Sequence, residues 1–378
     1  MSTAQALFWI SAGFVTYVYV GYPLLIAALS RLRQPPLRAT LADAGLPEVT
    51  VVIAAYNEAQ RLPAKIANLR TLDYPADKLQ ILVVSDGSTD ASASIAQSLP
   101  GVRVLAYPQR RGKAHALNLA MTEVRTSFTV FCDVRQELAP DSVRYLISNF
   151  CAADVGAASG ELVHRASNSH TGQSIGLYWR YEKWIREAES RLHSTVGATG
   201  ALYAIRTADF TPIAPDTILD DFEIPMSIAR GGKRVLFDSR ALVFDELHTD
   251  SRVEQKRKIR TLTGNFQTFS RQPWLFLPAV NPLWFQFISH KALRLLVPYA
   301  MLLALLSSAL LSAPIYRLAL VLQLGFYVLV AAARRLPAAR HNRLVSLAQV
   351  FFDMNAAAVI AAWRFASGGA DARWEKTT

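Results

Sequence analysis

The residues of this chain that could do chemistry gather where short aliphatic runs stop. Val83-Val84 runs straight into Ser85-Asp86-Gly87-Ser88-Thr89-Asp90. The aliphatics suit a buried parallel strand, and a carboxylate and a glycine end it at its carboxyl tip. Ser88, Thr89 and Asp90 offer N-cap oxygens to a helix over residues 91–98, although alone the stretch also reads as an ordinary strand-to-helix turn. Three further runs end in the same way: in Ala55-Tyr56-Asn57-Glu58, in Arg110-Arg111-Gly112-Lys113 and in Asp133. Polar clusters at four strand tips describe a nucleotide site, because open α/β sheets keep ligands in the crevice beyond their carboxyl ends. A carboxylate there accepts a base N–H or a ribose hydroxyl, an aromatic stacks on a base, and a lysine offers charge to phosphate. Further on, Asp220 and Asp221, followed by Glu223, match the acids of a helix first turn.

These residues need a sheet to hold them, and the pattern supplies one. From Val49 to about Phe244, strands alternate with amphipathic helices, the signature of an α/β domain with a mostly parallel sheet. Strands are expected over 49–54, 79–84, 102–106 and 128–131, with helices over 59–69 and 113–124. Cys132 and Cys151 have no metal-like spacing and read as buried, reduced thiols. No Gly-x-Gly-x-x-Gly follows the first strand, which removes a Rossmann-type dehydrogenase.

Composition adds a membrane. The 378 residues are 52% hydrophobic, with a mean hydropathy of +0.19 that is too apolar for a purely soluble protein. Residues 7–29 carry no charge and can cross a hydrocarbon core of about 30 Å as a retained anchor. Residues 274–289 are rich in Trp, Phe and Pro and suit the interface, while 295–313, 318–333 and 344–363 are candidate spans, the last interrupted by Asp353. The resulting plan is an anchor at 1–30, a linker at 31–48, a domain at 49–271, an interfacial region at 272–290, spans within 291–366 and a tail at 367–378. Arginines after the anchor and around 334–343 put the domain on the cytoplasmic side of a bacterial-type inner or plasma membrane. With 40 Lys+Arg against 29 Asp+Glu, the net charge of +11 suits lipid headgroups and a nucleotide diphosphate, and no nucleic-acid motif accompanies it.

Taken in order, Ala54-Ala55-Tyr56-Asn57-Glu58, Val84 to Asp90, Gly112-Lys113-Ala114-His115-Ala116-Leu117-Asn118, Gly197-Ala198-Thr199-Gly200-Ala201 and Leu219-Asp220-Asp221 resemble the membrane-bound family 2 glycosyltransferases of GT-A fold. That group includes inverting polysaccharide synthases and exopolysaccharide or lipopolysaccharide transferases. The resemblance covers about residues 49–271 and implies a nucleotide-sugar donor, a lipid-linked or polysaccharide acceptor, membrane lipids as surroundings and polysaccharide-assembly proteins as partners. Ala55, Tyr56, Glu58 and Asp86 then correspond to the nucleoside set, and Lys113 and Asp133 to nucleotide contacts. Asp221, with Asp220 as substitute, corresponds to the catalytic base. Gly200 belongs to a turn where a sugar can lie against backbone.

The chain departs from this family at two places. The usual Asp-x-Asp reads Asp133-Val134-Arg135 here, so Asp133 alone remains to hold Mg²⁺ or Mn²⁺, or Arg135 supplies part of the charge. Arg257-Lys258-Ile259-Arg260-Thr261 stands where processive relatives carry Gln-x-x-Arg-Trp. Arg257, Lys258 and Arg260 are expected near the diphosphate and acceptor, or on a basic helix lying on anionic lipid. With Gln and Trp missing, single addition to a lipid-linked glycan is expected. The alternatives are a processive synthase and a non-catalytic nucleotide-sugar-binding membrane protein.

Overall fold

The structure is a computed structural model that describes residues 1–39, 42–165, 170–246, 251–335, 342–369 and 371. Its centre is an eight-stranded mixed sheet in the order β3-β2-β1-β4-β7-β6-β8-β5. β1 (Val49–Ala55), β2 (Leu79–Asp86), β3 (Val102–Tyr107) and β4 (Phe128–Cys132) run parallel; β7 (Leu202–Arg206) is antiparallel to both β4 and β6 (Val155–Arg165). β8 (Arg234–Glu246) lies parallel to β6 and carries the short β5 (Glu137–Leu138) on its far edge. Because the strand order reverses between β1 and β4, a crevice opens at their carboxyl tips, where Ala55-Tyr56 and Asp133 stand.

Both faces of the sheet are covered. Val49, Val51, Ile53 and Ala55 pack on one side with Leu62, Ile66 and Leu69 of the helix Leu62–Arg70, while Val52 faces Leu117 and Ala120 of the helix Lys113–Glu123. Burial on both sides explains why these strands read as continuous aliphatic runs. Helix Leu62–Arg70 starts three residues later than expected, because Asn57 adopts a left-handed φ of 54° and Pro63 enters only in the first turn. Cys132 is buried as expected, but Cys151 is exposed, with its thiol donating to the Leu37 carbonyl at 3.6 Å.

Among the described residues four helices are long and apolar enough to cross a membrane: Thr3–Ser30, Trp284–Ala309, Pro314–Arg335 and Leu344–Ala366. The second starts earlier than the span expected from residue 295. Residues 284–290, expected in the interfacial segment, are its first turns, made continuous by π-helical turns at Phe287–Ala292. Asp353, which interrupts the last apolar run, pairs with Arg334 at 2.6 Å. His248 and most of the basic link after Arg335 lie outside the described residues.

A buried polar bolt joins domain and spans. Glu189, on the helix His170–Leu192, accepts from Tyr22 Oη at 2.5 Å and meets His290 Nδ1 at 2.7 Å, and His290 Nε2 lies 3.1 Å from Glu182. Glu182 also pairs with Arg294. Such groups are costly in an apolar setting unless each is satisfied by another, which fixes the register of the three helices.

The β2 tip is equally constrained. Gly87 has φ +59°, and a Cβ there would collide with the backbone of Gln109 and Arg110. Gly87→Ala is therefore expected to cost about 1–3 kcal/mol and to weaken nucleotide binding, seen as a lower Tm in detergent and a higher Kd. An unchanged Tm would contradict the close packing of these two loops.

Candidate active site

The β1 and β2 end of the crevice is built from loops stitched together by side chains. Asn57 Oδ1 accepts from Thr89 N–H at 2.8 Å, Ser88 Oγ accepts from Asn57 N–H at 3.1 Å, and Ser92 Oγ accepts from Glu58 N–H at 2.7 Å. Asp90 accepts from Ser92 N–H at 2.9 Å, but the N-cap of the helix Ser92–Ser98 is Ala91, and Ser88 and Thr89 answer Asn57, so none of the three caps the helix as expected. Tyr56 carries the Arg110 guanidinium 3.9 Å above its ring centre, and Glu58 pairs with Arg61 at 3.1 Å.

Asp86 is fully buried, and both its oxygens are engaged by the chain. Oδ1 accepts from Tyr107 Oη at 2.8 Å and Arg111 N–H at 2.7 Å, and Oδ2 accepts from Gly112 N–H at 2.9 Å. The work it visibly does is to hold the 107–112 loop, a task its place at a strand tip did not announce. Asn118 likewise clamps the backbone of Ile213, donating to the carbonyl at 2.7 Å and accepting the N–H at 3.1 Å.

Across the β4 tip lie three acids with a lysine among them. Lys113 Nζ is 2.9 Å from Asp133 Oδ1 and 3.3 Å from Asp220 Oδ2. Burial works against its charge, yet Asp133, Asp220 and Asp221 together hold the ammonium above its ordinary pKa. Asp220 and Asp221 begin the helix Asp220–Arg230, where acids also oppose the helix dipole favourably. Asp221 is ringed by protein but keeps part of its surface open. Burial first and the neighbouring Asp220 second push its carboxyl up to about 6; Asp133 adds to this, while Lys113 and Lys291 oppose it. A carboxylate poised there accepts a proton near neutral pH better than an ordinary aspartate does.

Gly200 makes this placement feasible. A Cβ at Gly200 would lie 2.8 Å from Asp221 Oδ2, so the carboxylate rests on bare backbone of the Gly197–Ala201 turn. The Asp221 carbonyl also accepts from Ala198 N–H at 2.7 Å.

Of the three downstream cations, only Arg260 reaches this cluster. Burial lowers its pKa, opposed by Asp220, Asp221 and Asp133. Arg257 faces Glu254, 3.2 Å away, and Lys258 has Glu254 and Asp353 as its acidic neighbours, so neither attends the acids. Arg135 is turned to Asp245, which also accepts from Gln136 at 3.2 Å, and it does not stand in for a second acid beside Asp133.

Among the described residues no three His, Cys, Asp or Glu side chains come together as a complete metal site. The donor set nevertheless suits a divalent cation shared with a diphosphate, since Mg²⁺ is often held by one or two carboxylates plus phosphate oxygens and water. The Tyr203 hydroxyl, on which the same three acids act, is buried without a hydrogen bond, and buried Asp220 Oδ2 has only the Lys113 ammonium, 3.3 Å away. Both atoms fit a site completed by a ligand or water.

The family model described as glycosyl transferase family 2 matches residues 50–210, and that described as glycosyl transferase family group 2 matches residues 133–333, more than half of the chain. The chain belongs to the family 2 glycosyltransferases. The fold is that of a mannosyltransferase from Pyrobaculum calidifontis solved with GDP-Man and Mn²⁺, at a TM-score of 0.71 and 24% identity over 95% of this chain and 99% of that one. A dolichyl-phosphate beta-glucosyltransferase of Drosophila melanogaster is 33% identical over 106 residues, 25% of this chain and 32% of that protein. A poly-beta-1,6-N-acetyl-D-glucosamine synthase of Staphylococcus aureus is 26% identical over 231 residues, 59% of this chain and 56% of that protein. The chain thus spans 32% and 56% of the length of these two curated relatives.

Within this family 2 site, sequence reasoning missed Asn57 as a loop stitch, the Arg110 cover on Tyr56, and Tyr203. Asn57 sits inside a recognised motif, but Tyr203 looks like any aromatic of a buried strand. The Gly200–Asp221 contact yields a test. Gly200→Ala must displace the carboxylate, and turnover is expected to fall about 100-fold while nucleotide affinity stays within about twofold. Unchanged turnover would show that the Asp221 position does not matter.

Proposed function

We propose that this protein is an inverting glycosyltransferase that moves a sugar from a nucleotide sugar, UDP-linked, to a lipid-linked glycan at the cytoplasmic membrane face, in cell-surface polysaccharide synthesis. The observation that carries this reading is Asp221: a carboxyl held near 6, partly open, lying on the Gly200 turn. In the proposed reaction the acceptor hydroxyl oxygen bonds to the anomeric carbon as the bond to the diphosphate breaks. Asp221 takes the hydroxyl proton, and the departing electron pair stays on the nucleotide diphosphate.

Tyr56, Glu58 and the 107–112 loop would receive the nucleoside, with the Arg110 side chain moving aside or flanking the base. Lys113 and Arg260 would face the diphosphate. Asp133 would hold Mg²⁺ or Mn²⁺ together with donor oxygens; bound there, the ion would neutralise leaving-group charge. Domain limits at 49–271, with membrane helices on either side, belong to the same proposal.

A second reading, processive synthesis, is favoured by the alignment with the staphylococcal synthase. Product length on a gel separates the two: a single added sugar supports the first, a ladder the second.

Asp221→Asn is expected to lower transfer by roughly 10²–10⁴ with nucleotide affinity kept, measured as UDP, GDP or TDP release in a donor screen with membrane lipid present. No release from any donor, together with no effect of Asp221→Asn, would leave a binding protein instead of an enzyme. EDTA is expected to reduce turnover and Mn²⁺ to restore it; full activity in EDTA contradicts the metal assignment.

A further inference from the structure

Asp221 has cations on two sides, and the proposed transfer uses one of them. Lys113 and Arg260 share Asp133, Asp220 and Asp221 as their acids, on the donor side. Arg186 and Lys291 come from the membrane side. The acids acting on Arg186 are Glu189, Glu182, Asp221 and Glu161, and those acting on Lys291 are Glu182 and Glu189.

Arg186 lies directly behind the turn that carries Gly200. It donates to Thr199 Oγ1 at 2.8 Å and Ser159 Oγ at 2.9 Å, and Ser159 Oγ accepts from Thr199 N–H at 2.8 Å. Lys291 belongs to the domain-facing turns of the span Trp284–Ala309. Two contacts fix where that turn sits. Phe287, about one turn before Lys291, packs on Phe222, the residue after Asp221, with ring centres 6.3 Å apart. His290 is bolted to Glu189, one turn beyond Arg186 on the same helix.

Lys291 is half-buried, and among the described residues its ammonium forms no hydrogen bond or ion pair. Its neighbours in the same turns do: His290 and Arg294 are both held by carboxylates. A lysine left without a partner at the membrane end of a reaction cleft marks a place for an anion.

We propose that Lys291, backed by Arg186, binds the phosphate of the acceptor lipid, so that the acceptor is a glycosyl phosphate or diphosphate carried on a membrane lipid. This rests on the reading of Asp221 as base. The acceptor hydroxyl lies on Asp221 and its anomeric phosphate on Lys291. Phe287 on Phe222 and His290 on Glu189 hold the turn of Lys291 beside the helix start that carries Asp221. A neutral glycolipid or a free polysaccharide end gains nothing from Lys291.

The test uses the full chain in detergent micelles, with a polyprenyl phosphate as probe, the matching phosphate-free polyprenol as control and inorganic phosphate as competitor. Wild type is expected to bind the polyprenyl phosphate at least about tenfold more tightly than the polyprenol. Lys291→Ala should lose that preference while Lys291→Arg keeps most of it. UDP affinity, measured on the same samples, is expected to be equal in all three and reports folding and the donor site separately. Equal polyprenyl phosphate binding by wild type and Lys291→Ala overturns the proposal. Inorganic phosphate displacing the probe at equal concentration would also overturn it, by assigning the site to free phosphate. Failure of wild type to bind UDP, GDP or TDP strikes the proposed function, which the lipid measurement does not touch.

Discussion

Three carboxylates share one end of the sheet, and Lys113 is what lets them. Asp133 comes from the β4 tip, and Asp220 and Asp221 from the first turn of a later helix; their mutual repulsion would scatter them without the ammonium that lies 2.9 Å and 3.3 Å from the first two. The arrangement has a further effect. Lys113 is paired with Asp133 and Asp220 and only acts at a distance on Asp221, so Asp221 keeps its burial and its like-charged neighbour as the dominant influences. A pair of adjacent acids is thereby split into one partner of a lysine and one carboxyl pushed up to about 6.

The rest of the fold supports that split. The sheet reversal between β1 and β4 opens the crevice. Asp86 spends its charge on the loop that leads into Lys113, holding Arg111 and Gly112 by their N–H groups. Gly200 clears the space that the Asp221 carboxylate occupies. The Glu189–His290 bolt sets the membrane helix at a fixed height against the same cleft. Each of these is a short-range contact, and each acts on where one carboxylate or one ammonium stands.

Much of this was legible in the sequence, for physical reasons. Strands buried on both faces announce themselves as aliphatic runs, and their polar tips stand out at once, which located Asp86, Lys113 and Asp133. Side-chain aim is another matter. Arg257, Lys258 and Arg260 form one basic run, yet helical geometry sends only Arg260 towards the acids. Arg135 next to Asp133 suggested a replacement charge, whereas Asp245 on β8 claims it, over a hundred residues away in sequence. His290, the neighbour of Lys291, sat in a stretch read as interfacial because Pro and Trp mask the start of a helix that continues through π-helical turns. Local pattern finds elements and tips; which way a long cation points is decided by partners the pattern does not contain.

The central claim is that burial and Asp220 together set the proton affinity of Asp221, and a pH–rate profile tests it most directly. With the base active only when ionised, kcat/KM for nucleotide release should rise through a midpoint near pH 6 and level off above it. In Asp220→Asn one like charge is gone, and the midpoint should move to lower pH while staying above that of an ordinary aspartate, since burial remains. A wild-type profile with no acid limb, or a limb that Asp220→Asn leaves in place, would contradict the account.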